Sequence, residues 1–120
     1  RFEDIEVGIT ITTNDEAIRK VFEPKAPPIA ARISALKTLH DNGIRTYAFI
    51  GPVLPMNPEV LLEKIIPHVD NVIIDRMNYT SKTLQVYRRM NLSKWLDKDF
   101  VEDIIRRLAK GFAGKPVSIC

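Results

Sequence analysis

One cysteine, Cys120, is all the thiol this sequence contains, so it can close no internal disulfide and build no all-cysteine metal site. A chain without disulfides fits a reducing compartment, and a cytoplasmic location is expected. Long apolar runs are also lacking. None approaches the ~18 residues of a membrane span, and no signal-peptide pattern opens the chain, so no membrane partner is expected. No glycine-rich turn follows the first strand-like stretch, which removes the phosphate-binding signature of doubly wound nucleotide folds. Charge of one sign is scarce too: 18 basic and 15 acidic residues leave +3. That balance mildly favours an anionic partner but is no nucleic-acid footprint by itself. No repeat, low-complexity tract or linker divides the chain. A single domain, 1–120, is expected, long enough to bury roughly two-thirds of its unfolded surface. The chain opens on Arg1 rather than methionine, so a processed chain or an excised piece is expected.

What is present starts at Ile5. Ile5, Val7, Ile9 and Ile11 alternate with Glu6, Gly8, Thr10 and Thr12, the pattern of a strand whose two faces meet different surroundings. The second face ends in hydroxyls. Thr13 and Glu16 have the spacing of a capping box, which predicts a helix from about Asn14 to Phe22 with Ala17, Ile18, Val21 and Phe22 buried. Pro24 stops it. A second helix is predicted from about Pro28 to Asp41, with Ile29, Ile33, Leu36 and Leu39 on one stripe and Asn42-Gly43 closing it.

Ile44 to Gly51 reads as a second strand, and Asn57-Pro58 as the cap and first turn of a third helix to Ile66. Asn71 to Met77 is a mostly apolar third strand, expected to be covered on both faces. Ser81 to Met90 reads as a short helix, Leu92 to Leu96 as a turn anchored by Trp95. Asp97 caps a last helix in which Phe100, Val101, Ile104, Ile105 and Leu108 share a face, with Gly111 after its last turn. Lys115 to Cys120 is a short final strand. The sum, βαα-βα-βα-β, predicts an α/β fold with a parallel sheet and right-handed crossovers. Four strands make either a small open sheet or part of a (β/α) barrel. The polar face of the first strand and the ligand-type residues at strand ends favour part of a TIM-type barrel. An incomplete barrel would leave a sheet edge open to self-association.

Thr12, Asn14, Phe22-Glu23-Pro24, Pro28, Arg32-Ile33, Ala35, Gly43 and Gly51-Pro52 form a pattern, joined by the third-strand segment IIDRMNYT. With it the chain resembles the C-terminal half of the radical S-adenosylmethionine (SAM) barrel, in the spore photoproduct lyase and DNA-repair-photolyase-like branch. The resemblance covers most of the chain and is firmest between Ile9 and Pro55. It implies SAM and a 4Fe–4S cluster as cofactors of the parent protein, which would be a lyase or DNA-repair-like enzyme. In that family a C-x-x-x-C-x-x-C triplet holds the cluster. The triplet is absent here, so the resemblance implies a cofactor-cradling, substrate-side portion that is inactive alone and whose partner is the N-terminal barrel half.

By resemblance Thr12 lies near the cofactor's ribose and carboxylate, with Thr10 on the same strand face and Asn14 just beyond. Thr12 or Thr13 would serve equally as a plain helix cap. Arg32 has the fixed charge and planar fork to hold a carboxylate, or to bridge Glu23 across the proline-rich turn. Lys25 adds charge nearby or is simply solvated. Gly51-Pro52 would let backbone pass close to an adenine, or would merely end the strand. Arg76, Asn78 and Tyr79 are substrate-side candidates beside Asp75. Arg88, Arg89, Lys94, Arg106, Arg107 and Lys110, with Tyr87 and Trp95 among them, could follow a nucleic-acid backbone or be the wet face of amphipathic helices. His40 reads as an exposed helix-end residue complementing the dipole. The reading from another class is a non-catalytic α/β module for a small anionic ligand.

Overall fold

The opening alternation becomes β1, Glu6–Thr10, in a computed structural model that describes residues 5–75, 84–112 and 114–120. Helices α1, Glu16–Phe22, and α2, Ile29–Asp41, follow it without an intervening strand. Then come β2, Arg45–Ile50, α3, Pro58–Ile65, and β3, Asn71–Ile74. After α4, Leu84–Arg89, a single 3-10 turn at Ser93–Leu96 leads to α5, Lys98–Gly111, and β4, Val117–Ile119. Among the described residues no helix is long and apolar enough to cross a membrane.

The four strands form one sheet in the order β1-β2-β3-β4, every neighbour parallel. Consecutive order has a consequence. Right-handed crossovers that always step the same way put every connecting helix on the same side of the sheet. The core bears this out: its strand members are Ile11, Ala48, Ile50, Val72 and Ile74, all from one face. They pack against Leu36 of α2, Leu61 and Ile65 of α3, and Ile104 and Leu108 of α5. Each such side chain contributes roughly 1.5–3 kcal/mol by leaving water. The other face carries Gly8, Thr10, Tyr47, Phe49, Asn71 and Ile73, and none of these joins the core. β3 is therefore covered on one face, not both: Val72 and Ile74 are buried while Asn71 and Ile73 stay partly open. The strand is apolar because Ile73 lies among the aromatic residues of the second face, not because a helix layer covers it.

Most predicted boundaries hold within two residues. Asn57 caps α3 by accepting from Val60 N–H, and Asp97 caps α5 by accepting from Asp99 and Phe100 N–H. Gly43, with φ +78°, ends α2. Trp95 is 5% exposed and anchors the 3-10 turn, where its ring meets Phe100 edge-on at 4.9 Å. The start of α1 differs. Its cap is Asp15, whose Oδ1 accepts from Ala17 and Ile18 N–H, while Thr13 turns its hydroxyl to the Pro55 carbonyl. Glu16 looks forward across the turn instead of back to a cap. The buried stripe of α1 is also narrower than predicted, since Ile18 is buried and Phe22 packs on the core while Ala17 and Val21 face solvent. Gly111 belongs to the last turn of α5, and Phe112 is its cap.

Candidate functional site at the C-terminal rim of the sheet

The loops leaving β1 and β2 hold each other. Leu54 N–H donates to the Thr12 carbonyl at 3.1 Å, Thr13 Oγ1 donates to the Pro55 carbonyl at 2.6 Å, and Asn57 N–H donates to Asn14 Oδ1 at 2.7 Å. Residues 12–14 thus brace the loop that carries Pro52. Asn14 takes part in that brace through Oδ1, at the foot of α3.

Behind Thr12 stands a carboxylate. Thr12, fully buried, donates through Oγ1 to Glu23 Oε2 at 2.8 Å. Arg32, 7% exposed, donates through Nη2 to the same oxygen at 3.1 Å. Its Nε donates to the Pro27 carbonyl at 3.0 Å and its Nη1 to the Thr10 carbonyl at 3.1 Å. All three guanidinium nitrogens are engaged within the protein. Charge-assisted bonds of this kind are the strong ones, and the planar fork fixes three segments at once: the end of β1, the C-cap of α1 and the proline-rich turn.

A second arginine fastens the same turn from the other side. Arg19, 6% exposed, donates through Nη1 to the Ala26 carbonyl at 2.8 Å and through Nε to Glu16. Glu16 in turn accepts from Ile29 N–H, the first residue of α2, at 3.1 Å. The Arg19 guanidinium first, and then the Ile29 amide, hold the Glu16 carboxyl down at about 2. The same bond to Glu16 pushes the Arg19 guanidinium up.

These fastenings border a cleft of about 480 Å³ on the outer side of β1, with Thr10, Glu23 and Arg32 at one end and Gly8, Ala31 and Ala35 along it. Around the strand, on the sheet face away from the helices, Thr10 exposes its side chain beside its register partner Phe49. Tyr47 and Ile73, both half-buried, continue that surface. At the end of β2, Gly51 passes so close to β3 that a Cβ there would lie 2.6 Å from Asp75 Cβ, and the Gly51–Pro52 peptide is cis. Pro52 is half-buried at this rim, and Lys25 is exposed on the turn. Arg76, Asn78 and Tyr79 lie outside the described residues.

Elsewhere the fold separates what the sequence set side by side. Tyr87 and Trp95 are 3% and 5% exposed, and their rings meet Phe22 and Phe100. Stacking on bases needs open faces, so these aromatics offer no platform to the basic residues around them. Arg107 pairs with Glu59 and Arg106 with Asp103, the neutralised network of a wet helix surface. His40, expected exposed, is half-buried with Nδ1 3.8 Å from Asp70 Oδ2. Asp70 also accepts from Thr46 N–H at 2.8 Å, at the N-terminal end of the sheet and far from the rim. Cys120 is exposed. Among the described residues, no three His, Cys, Asp or Glu side chains converge as a metal site.

Sequence reasoning missed two parts of this arrangement. Arg19 passed unnoticed because its partners cross a proline turn, although the Glu16–Arg19 spacing of three was readable. Tyr47 and Phe49 were counted only as strand formers, yet their alternation with Ala48 and Ile50 already put two aromatics on one face.

No family model matches the chain, and no solved structure matches it. It is similar to the uncharacterized protein MJ0683 of Methanocaldococcus jannaschii, 31% identical over 121 residues that take in 92% of this chain and 47% of the relative. It is also similar to the uncharacterized protein ORF301 of Acidianus two-tailed virus, 21% identical over 108 residues, 86% of this chain and 33% of the relative. The chain thus spans about half the length of the first relative and a third of the second.

Proposed function

We propose that this chain is part of a parallel (β/α) barrel that holds SAM at its C-terminal rim, on the substrate side of a radical SAM iron–sulfur enzyme. The observation that carries the reading is that, among the described residues, the helices pack on one face of the sheet and none covers the other. A parallel sheet normally hides both faces, and one that keeps all its helices on one side is the wall of a barrel. Chemistry in such folds is housed at the C-terminal strand ends, where Thr10, Thr12 and Pro52 lie. Of the pattern that resembles the radical SAM family, Thr12, Glu23, Arg32 and Gly51-Pro52 lie at or beside that rim.

In this reading Thr10 and the Gly51–Pro52 backbone edge touch the cofactor, with a hydroxyl for its ribose and the Phe49 ring for its adenine face. Thr12 and Arg32 are positioning residues: they hold Glu23, and through it the turn that carries Lys25. Lys25, whose ammonium is free to turn toward the rim, supplies charge for the cofactor's carboxylate. Arg76, Asn78 and Tyr79 keep the substrate-side role expected from their place in sequence after the third strand. This chain's residues do not fit the 4Fe–4S cluster, having one cysteine between them. The reading therefore requires cluster ligands from other polypeptide length, as the resemblance also implies. Bound SAM would supply the radical chemistry.

The test is made on MJ0683, whose length exceeds the matched segment about twofold. Reconstituted with iron and sulfide and reduced with dithionite, it is expected to convert SAM to 5′-deoxyadenosine. A protein that takes up no cluster and leaves SAM intact contradicts the proposal.

A further inference from the structure

Ile11 N–H donates to the Phe49 carbonyl at 2.9 Å, so β1 turns the backbone of Ile11, Ile9 and Val7 toward β2. The same phase turns Glu6, Gly8 and Thr10 outward. β1 ends the sheet order, and no described strand pairs with those groups. One of them is already taken: the Thr10 carbonyl accepts from Arg32 Nη1. The others look along the cleft walled by Ala31 and Ala35, whose small side chains leave room for those of an added strand. Ile5, on the helix side of the same edge, is 45% exposed.

We infer that the β1 edge is a docking slot for one further parallel strand, supplied by the length that relatives such as MJ0683 carry beyond the matched segment, and that Arg32 marks where the slot ends. The inference rests on the barrel reading above and adds its partner. An exposed parallel edge with an apolar flank is a pairing template that folded proteins cover. The matched segment is 47% of MJ0683, so about as much chain again is left over, enough for the further strands that close a parallel barrel at about eight. A second copy of this chain is the poorer occupant. Head-to-tail addition of a second copy would offer its other edge, β4, three residues long against the five of β1. The guanidinium on Thr10 stops the added strand short, pairing it with Glu6 and Gly8 and leaving the rim open.

Residue-resolved amide exchange tests this. In the 120-residue chain, the amides of Gly8 and Thr10 are expected to exchange at least about 100-fold faster than those of Ile9 and Ile11. In full-length MJ0683, the amide aligned with Gly8 is expected to be as protected as its strand neighbours, and the one aligned with Thr10 to remain fast. Fast exchange at the Gly8 equivalent in MJ0683 overturns the slot. Slow exchange at Gly8 in the isolated chain also overturns it, and a dimer mass would then name a second copy as the occupant. None of these readouts involves SAM. Protection without SAM cleavage would sink the proposed activity alone, and cleavage without protection would sink the slot alone.

Discussion

Thr12 and Arg32 meet on a single oxygen, Glu23 Oε2, at 2.8 and 3.1 Å. The strand end and the second helix are thereby locked through a residue that belongs to neither. Two donors on one buried-side carboxylate oxygen, with the guanidinium also bound to two carbonyls, form a network whose members stabilise one another. Its first effect is on the backbone: it ties the proline-rich turn to the end of β1.

Removing the guanidinium should therefore be costly. Arg32→Met leaves Glu23 with one partner and strips the Thr10 and Pro27 carbonyls, and loss of about 3 kcal/mol of folding stability is expected. Urea unfolding measures it. Arg32→Lys should recover only part, because an ammonium cannot span three acceptors in one plane. A loss below about 1 kcal/mol for Arg32→Met would mean that the bridge is solvated rather than structural.

Acid should loosen the opposite fastening. The folded-state value of Glu16, about 2, lies below the ordinary 4.5. A depressed carboxyl contributes stability that is complete above the ordinary value and is lost as pH falls through the folded one. The urea midpoint should accordingly fall between pH 4.5 and 2, and Glu16→Gln should flatten that part of the profile. An unchanged slope in the variant would contradict the Arg19–Glu16 clasp.

The identity of the first helix cap is open to a direct comparison. Asp15→Ala removes the acceptor for Ala17 and Ile18 N–H and should cost about 1 kcal/mol. Thr13→Val keeps the Asp15 side-chain cap but takes the acceptor from Asp15 N–H and orphans the buried Pro55 carbonyl, so its main effect should appear as faster amide exchange in the loop at 52–57. Equal loosening of α1 in both variants would restore Thr13 as the cap.

Thr10→Val separates recognition from folding. The side chain is exposed on the sheet face away from the core, so stability should change by less than about 0.5 kcal/mol. Losing one hydroxyl contact should weaken SAM binding about tenfold, the equivalent of a single hydrogen bond. Unchanged affinity would remove Thr10 from the site.

Much of this architecture was readable because local chemistry and tertiary burial agree in it. Asn57-Pro58 and Asp97 announce α3 and α5, and Gly43 ends α2, since each satisfies or frees a particular backbone group whatever packs nearby. The parallel order followed from alternating strands and helices. What escaped were relationships decided at distance. Asp15 and Thr13 are both good caps in sequence, and only the nearby Pro55 carbonyl takes Thr13 away from the helix. Val21 has helical spacing with Ile18, yet the face that α1 turns to the core takes Ile18 and Phe22 and leaves Val21 exposed. Arg19 looks like an ordinary helix charge and Arg32 like a partner for a carboxylate alone, until the proline turn folds back and offers both of them carbonyls. The site followed the same pattern. A bridge from Arg32 to Glu23 is one of the two roles the sequence offers that arginine, but that Thr12 donates to the same Glu23 oxygen is a fact of geometry.

The central claim, that the helix-free face of this sheet receives SAM at its C-terminal end, is tested most directly by titrating SAM into isotope-labelled chain and following the amides of Thr10, Phe49 and Gly51. Saturable shifts confined to those positions and their rim neighbours, absent with methionine alone, are the predicted result. Shifts on the helix side of the sheet, or none at millimolar SAM, would contradict it.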